Sequence, residues 1–122
     1  MIELAPFLMS DLVRLDLRRE GEWMVVAPRG ELDLATVPLL ARKVMQLRAV
    51  GFKAIRLDLR GLTFADSSAV HYVMALVADL DDELRVDLIA GPANVQRVFE
   101  LAGVADLLPF GQQPEHAAAA GS

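Results

Sequence analysis

The segment LDLRGLTFADSSAV, from Leu57 to Val70, predicts a strand that passes through a turn into a helix. Leu57 and Leu59 alternate with charged residues, which is the two-residue period of a strand with one buried face. Phe64 offers a further apolar anchor before the polar triplet Asp66-Ser67-Ser68. Helical spacing then begins, because the next apolar residues recur every three or four positions, at Val70, Val73, Met74 and Val77.

The two serines stand at the expected start of this helix. Ser67 or Ser68 is predicted to be the N-cap, where a hydroxyl can accept a hydrogen bond from an unpaired backbone N–H group. A helix N-terminus also favours anions, and a phosphorylated serine would place a dianion there. The pair is therefore a candidate both for a helix cap and for a phosphorylation site.

Strand and helix patterns alternate along the rest of the chain. Two strands in a hairpin are predicted around Glu20-Gly21-Glu22, and later strands follow the alternating sets Ile55, Leu57, Leu59 and Leu84, Val86, Leu88. One helix is predicted to be capped by Thr36, to end at Gly51 and to bury Val37, Leu40, Val44 and Leu47. The last helix begins at Pro92 and is expected to bury Val95, Val98, Phe99 and Ala102.

Charged residues occupy every second position in three of the four predicted strands, as in Arg14, Asp16 and Arg18. A strand covered on both faces would be apolar throughout, so one face of this sheet is expected to meet water or a partner. The patterns therefore predict a two-layer α/β domain, with a mixed sheet of four to five strands and helices mainly on one face.

A chain of 122 residues is the length of one domain. Residues 1–12 are interpreted as an N-terminal extension, with Met9 as an alternative start, and residues 13–111 as the folded domain. Residues 112–122 are polar and rich in alanine, which predicts a disordered tail. No signal peptide and no membrane-spanning segment are recognised, so a cytoplasmic protein without membrane insertion is expected.

Composition argues against several classes of function. A net charge of −5 disfavours direct nucleic-acid binding, and the absence of cysteine excludes disulfides and zinc–thiolate sites. Glycine-rich nucleotide loops are absent, and the acidic run Asp79, Asp81, Asp82, Glu83 lacks the spacing of a calcium loop, so neither a cofactor nor a metal is expected. Asp66, Ser67 and His71 include the residue types of a serine triad, but the nucleophile-elbow pattern G-x-S-x-G is missing. The sequence therefore favours a protein that is not an enzyme.

Three segments together resemble the STAS domain, and most closely its anti-sigma factor antagonist family. They are Asp66-Ser67-Ser68 before an apolar helix, the turn-forming stretch Gly30–Thr36, and the helical stretch Gly91–Gly103. The resemblance runs from about Val13 to Phe110 with the segments in the family order. One difference is Ala69, since the family usually has glycine after the two serines.

The resemblance implies a function for particular residues. Ser67 matches the serine that an anti-sigma factor with serine kinase activity phosphorylates, and a serine phosphatase reverses this modification. Asp33, Asp66 and Ser68 match positions at or beside the partner-binding surface. The unphosphorylated protein is expected to bind the anti-sigma factor, and phosphorylation of Ser67 is expected to end that binding.

Two alternatives stay open at this point. The domain could bind its partners constitutively, with the serines acting only as caps, or it could be the small STAS partner of a lipid-transport ATPase. The turn at Asp33 is expected to lie beside Ser67, because both turns follow strands at the same end of a parallel sheet. Tyr72, Leu76 and Leu80 are expected to leave apolar surface near the serine for a partner.

Overall fold

The computed structural model describes residues 12–78 and 83–110. The predicted extension up to residue 11, the predicted tail from residue 112, and positions 79–82 lie outside the described residues. In chain order the elements are β1 (Val13–Glu20), β2 (Trp23–Leu32), α1 (Val37–Ala49), β3 (Ala54–Asp58), β4 (Leu62–Ala65), α2 (Ser67–Val77), β5 (Arg85–Ile89) and α3 (Ala93–Leu101). Short 3-10 turns occupy Leu59–Gly61 and Ala105–Leu107.

The long second strand organises a mixed sheet of five strands. β1 pairs with β2 as an antiparallel hairpin, and the order β1-β2-β3-β5 continues with parallel pairs. The first half of β2 pairs with β3, and its last residues, Gly30 to Leu32, pair with β4. A register shift separates Gly30 from Glu31, and Gly30 has a φ of 109°, which favours glycine. The predicted hairpin and mixed sheet are confirmed.

The three helices share one apolar core with one face of the sheet. That core joins sheet residues such as Val26, Leu57 and Leu88 to residues of every helix, which include Leu40, Val44, Leu47, Val70, Val73, Val95 and Phe99. The predicted inward faces of α1 and α2 are therefore correct in their main positions. Gly51, with a φ of 108°, directly follows the last turn of α1.

The opposite face of the sheet carries paired charges. Arg18, Val25, Arg56 and Asp87 form one row across four strands. The Arg56 guanidinium donates to Asp87 at 2.6 Å, while Arg18 and Arg60 donate to Asp58 at 3.3 and 2.9 Å. Burial alone would raise the pKa of Asp58, but hydrogen bonds from Arg60 and Arg18 hold it below its usual value. A two-layer domain with one charged, helix-free face follows.

The strand predicted through Leu59 ends one residue earlier, at Asp58. The Asp58 carboxylate accepts a hydrogen bond from the Arg60 backbone N–H at 3.1 Å, which caps a 3-10 turn. Leu59 is fully buried within that turn, so the apolar alternation in the sequence continues although the strand does not. Leu62–Ala65, expected as a turn, forms the separate strand β4.

Two residues expected in the core are exposed instead. Phe64 leaves 46% of its surface accessible, and it lies on β4, which pairs with the end of β2. Ala102 is exposed because α3 ends at Leu101, and the chain turns at Gly103, where φ is 76°. Val95 and Phe99 of the same helix are buried as expected.

Tyr72 provides a pH-dependent test of the packing of α2. Burial raises the pKa of its phenol to about 12, and the positive charge of Arg48 on α1 opposes this shift only in part. The unfolded chain releases this proton near pH 10, so stability should be fully present below pH 10 and should fall as the pH rises toward 12. Tyr72 is the only tyrosine, so phenolate absorbance reports it directly. Tyr72→Phe is the control that should remove this dependence, and a midpoint near 10 in the folded protein would contradict the packing.

Candidate functional site

Two strand-to-helix turns lie side by side at one edge of the sheet. Leu32 at the end of β2 is paired with Ala65 at the end of β4, and Asp33 and Asp66 are the next residues. The Asp66 backbone N–H donates to the Leu32 carbonyl oxygen at 3.3 Å, which ties the second turn to the first. The structure therefore brings the Asp33 turn next to Ser67, as the parallel arrangement of the strands predicts.

The Asp33 turn is held by its own side chains. One Asp33 carboxylate oxygen accepts hydrogen bonds from the Ala35 and Thr36 backbone N–H groups, at 3.0 and 3.1 Å. The Thr36 hydroxyl donates to the Glu31 carbonyl oxygen at 2.8 Å and accepts from the Asp33 backbone N–H at 2.9 Å. Thr36 occupies the predicted N-cap position, but its fully buried hydroxyl binds the turn and makes no bond to the helix amides. Asp33 therefore shapes this turn.

Asp66, and not a serine, caps α2. Its carboxylate accepts hydrogen bonds from the backbone N–H groups of Ser68 at 2.8 Å and Ala69 at 3.4 Å. The prediction that Ser67 or Ser68 is the N-cap is therefore wrong by one residue. The physical reason is that aspartate caps as well as serine does and carries a negative charge at the positive end of the helix.

Ser67 is consequently the first residue of α2, with an exposed side chain. Within the described part of the chain its hydroxyl has no hydrogen-bond partner. The neighbouring Ser68 is less accessible, because its side chain is half-buried. Among the described residues, no side chain makes a hydrogen bond to the Ser67 hydroxyl that would activate it as a nucleophile. Its exposure at a helix start makes it accessible to an enzyme that approaches from solvent.

Ala69 fits the position at which the family usually has glycine. Its side chain is 1% exposed and belongs to the apolar core beneath α2. No non-glycine residue in the described ranges 12–78 and 83–110 has a positive φ, so this turn does not require glycine. The methyl group adds packing and helix propensity at a position where the backbone is already helical.

Apolar residues flank the two turns. Leu34, in the Asp33 turn, is 77% exposed, and Phe64, opposite Glu31 in the β2–β4 pair, is exposed as well. Tyr72, Leu76 and Leu80 were expected to leave apolar surface near the serine. For two of them this is wrong, because Leu76 is buried and Tyr72 is partly buried against the core, and Leu80 lies outside the described residues. The sequence does not show that Leu34 is exposed at this surface, because its exposure depends on the path of the turn.

A groove of about 380 Å³ opens beside Ser67, between α2 and α3. Ser67 and His71 provide its polar side chains, and its other lining residues are apolar: Val70, Met74, Val98, Leu101, Ala102 and Val104. His71 lies one turn beyond Ser67 and is exposed. Leu101, at the end of α3, extends the apolar surface of this groove.

The carboxylates at this edge of the sheet belong to Glu31, Asp33 and Asp66, so the surface beside Ser67 is acidic.

Residues 12–78 and 83–110 contain no group of three histidine, cysteine or acidic side chains that could hold a metal ion. Among the helices in those ranges, none is both long and apolar enough to cross a membrane.

Comparison with known proteins identifies the family of this domain. The family model described as "Mlab, STAS domain" matches residues 15–109, which is most of the chain. The chain therefore belongs to the STAS domain family.

Relatives within this family are anti-sigma factor antagonists. The anti-sigma-B factor antagonist of Staphylococcus aureus is 24% identical over 104 residues, covering 84% of this chain and 96% of that protein. The crystal structure of an anti-sigma factor antagonist from Mycobacterium paratuberculosis matches with a TM-score of 0.75 and 23% identity, over 90% of this chain and 94% of that one.

The fold also matches SpoIIAA, an anti-sigma factor antagonist, in two states. Its unphosphorylated form gives a TM-score of 0.66 at 24% identity, covering 88% of this chain and 96% of that one. The phosphorylated form of the Bacillus protein gives 0.60 at 23% identity, covering 88% and 99%. These similarities confirm the predicted STAS fold.

The capping geometry predicts different costs for two neighbouring substitutions. Asp66→Ala removes the acceptor for two helix amides and should lower the free energy of unfolding by about 1 kcal/mol. Ser67→Ala removes an exposed hydroxyl without a partner in the described structure and should change it by less than about 0.5 kcal/mol. Urea denaturation of both variants measures this difference, and equal losses would contradict Asp66 as the cap.

Proposed function

We propose that this protein is an anti-sigma factor antagonist whose binding to an anti-sigma serine kinase is ended by phosphorylation of Ser67. The observation that carries the proposal is the division of roles at the start of α2. Asp66 supplies the cap, so Ser67 is exposed and its hydroxyl is free of hydrogen bonds to the described residues. A kinase can modify such a serine without removing a contact that the fold needs.

The proposed partner surface is formed by the Asp33 turn, the Asp66-Ser67-Ser68 turn, and the exposed side chains of Leu34 and Phe64. Exposed apolar side chains surrounded by polar groups are typical of surfaces that bind another protein. Asp33 and Asp66 both use their carboxylates to hold their turns, so they contribute to this surface mainly by fixing its shape. Leu34 has no comparable role in the fold and is the better probe of binding.

Phosphorylation would act at the interface more than on the fold. The first turn of a helix tolerates an added anion, and the Ser67 side chain faces solvent, so the domain can accept a phosphate without rearrangement. A partner that covers this surface must desolvate the dianion beside Asp66. Like charges opposed across an interface cost several kcal/mol, which corresponds to about a hundredfold loss of affinity or more.

The remaining parts of the proposal follow from the same roles. A serine phosphatase would restore the binding form, and the protein itself would carry out no catalysis in the cytoplasm. The similarity to anti-sigma factor antagonists over most of the chain supports this assignment. The alternative, a STAS partner of a lipid-transport ATPase, requires no phosphorylation of Ser67.

A kinase reaction followed by a binding measurement tests the switch. Incubation with the anti-sigma kinase and ATP should add one phosphate, and mass spectrometry should locate it on Ser67. Calorimetric titration should then show affinity for the kinase lowered by about a hundredfold or more. Ser67→Ala should block the modification, and Ser68→Ala is the matched control that should not. Phosphate only on Ser68, equal affinities of the two forms, or binding to a lipid-transport ATPase in place of a kinase would contradict the proposal.

A pair of apolar-to-polar substitutions tests the partner surface. Leu34→Ser should weaken binding to the anti-sigma factor by about tenfold or more, because a leucine buried on binding contributes about 1.5–3 kcal/mol. Its effect on stability should be small, since Leu34 is 77% exposed. Val50→Ser is the matched control, because Val50 is 74% exposed and follows α1 at the opposite end of the sheet. Equal effects of the two substitutions on affinity would exclude this surface.

A further inference from the structure

We propose that His71 is the counter-ion of a phosphate on Ser67, so that the charge of the phosphorylated site depends on pH. This inference rests on the proposed phosphorylation of Ser67 and assigns a role to a residue that the switch has not so far required. The imidazolium form of His71 would pair with the phosphate, while the neutral form would leave the dianion uncompensated. His71 would act only as a counter-ion and would have no part in catalysis.

Helix geometry places the two side chains together. Residues 67 and 71 are four positions apart in α2, and side chains at this spacing are neighbours on a helix surface. Side chains of a helix tilt toward its N-terminus, so the imidazole of His71 covers the turn that carries Ser67. Both residues line the same groove between α2 and α3, so a phosphate ester on Ser67 and the imidazole of His71 would share that groove.

The described residues make no hydrogen bond or ion pair to either side chain. Within the described residues His71 has no hydrogen bond or ion pair, and it is the only titratable side chain that lines the groove. The groove residues from α3 and the loop after it are apolar: Val98, Leu101, Ala102 and Val104. The charged side chains of α3, Arg97 and Glu100, do not line it.

The charged side chains of the other described elements that contact α2 do not line this groove. On α1, Arg48 acts on Tyr72, which is not among the groove residues. From β5, Asp87 is on the charged sheet face with Arg56, away from the helices. The remaining nearby charges are the carboxylates of Glu31, Asp33 and Asp66 at this edge of the sheet, and that of Asp66 accepts hydrogen bonds from the Ser68 and Ala69 backbone N–H groups.

Phosphate monoesters and imidazoles in general change charge over the same range of pH. A phosphoserine has its second pKa near 6 and an ordinary histidine has its pKa near 6.5, so each charge should stabilise the other close to neutral pH. The phosphate should raise the pKa of His71, and His71 should lower the second pKa of the phosphate. Phosphorylation would then add less net negative charge at acidic pH than at alkaline pH, and release of the partner would be stronger as the pH rises.

Direct installation of phosphoserine at position 67 tests the pair without any kinase. The chain has two histidines, His71 and His116, so NMR titration gives two imidazole signals, which His71→Gln assigns. The pKa of His71 should be higher in the phosphoprotein than in the unmodified protein, because the imidazolium pairs with the phosphate. Phosphorus NMR should show a higher second pKa of the phosphate in the His71→Gln phosphoprotein than in the phosphoprotein with His71.

An unchanged pKa of His71 on phosphorylation, or equal phosphate pKa values with and without His71, would overturn the proposal. His71→Lys provides a rescue, because it should lower the phosphate pKa as His71 does and keep a positive charge throughout the neutral range. Failure of a kinase to modify Ser67 would count against the proposed function alone, since these measurements use phosphoserine introduced during translation.

Discussion

The parallel pairing of β2 with β4 is the constraint on which the site depends. β2 and β4 end side by side at the pair Leu32–Ala65. The hydrogen bond from the Asp66 backbone N–H to the Leu32 carbonyl oxygen extends the pairing by one residue. Two turns that are more than thirty residues apart in the chain thereby begin at the same place. A shift of this register by one residue would move Ser67 relative to Leu34. It would also exchange the buried and exposed faces of β4.

Each turn is stabilised by an aspartate that comes immediately after its strand. Asp33 binds two amides of its own turn, and Asp66 binds two amides of α2. Aspartate is well suited to this role because its short side chain reaches backbone N–H groups two and three residues ahead. The residue after each aspartate is then free to face solvent, which explains why Leu34 and Ser67 are both exposed.

The sequence was sufficient for those features that depend on regular periodicity. The hairpin, the buried faces of α1 and α2 and the charged face of the sheet follow from spacing alone. It failed where a local hydrogen bond or a pairing partner decides the outcome. Leu59 continues the strand pattern, but the Asp58 cap turns the chain there. In Asp66-Ser67-Ser68 all three residues are capable caps, and Asp66 becomes the cap because its backbone is extended directly after β4 and its charge suits the helix N-terminus. Phe64 and Leu34 have apolar side chains whose exposure is set by the end of β2.

The groups that hold the fold are separate from the groups that face solvent, so a phosphate on Ser67 would not remove a contact on which the fold depends. The capping carboxylate, the buried Thr36 hydroxyl and the Ala69 methyl are engaged in internal contacts. Ser67 and His71 are exposed on one side of a helix whose opposite side is fixed in the core. A charge added to that exposed side can be balanced locally by an imidazolium or left to act on a partner, and neither outcome needs a movement of the sheet.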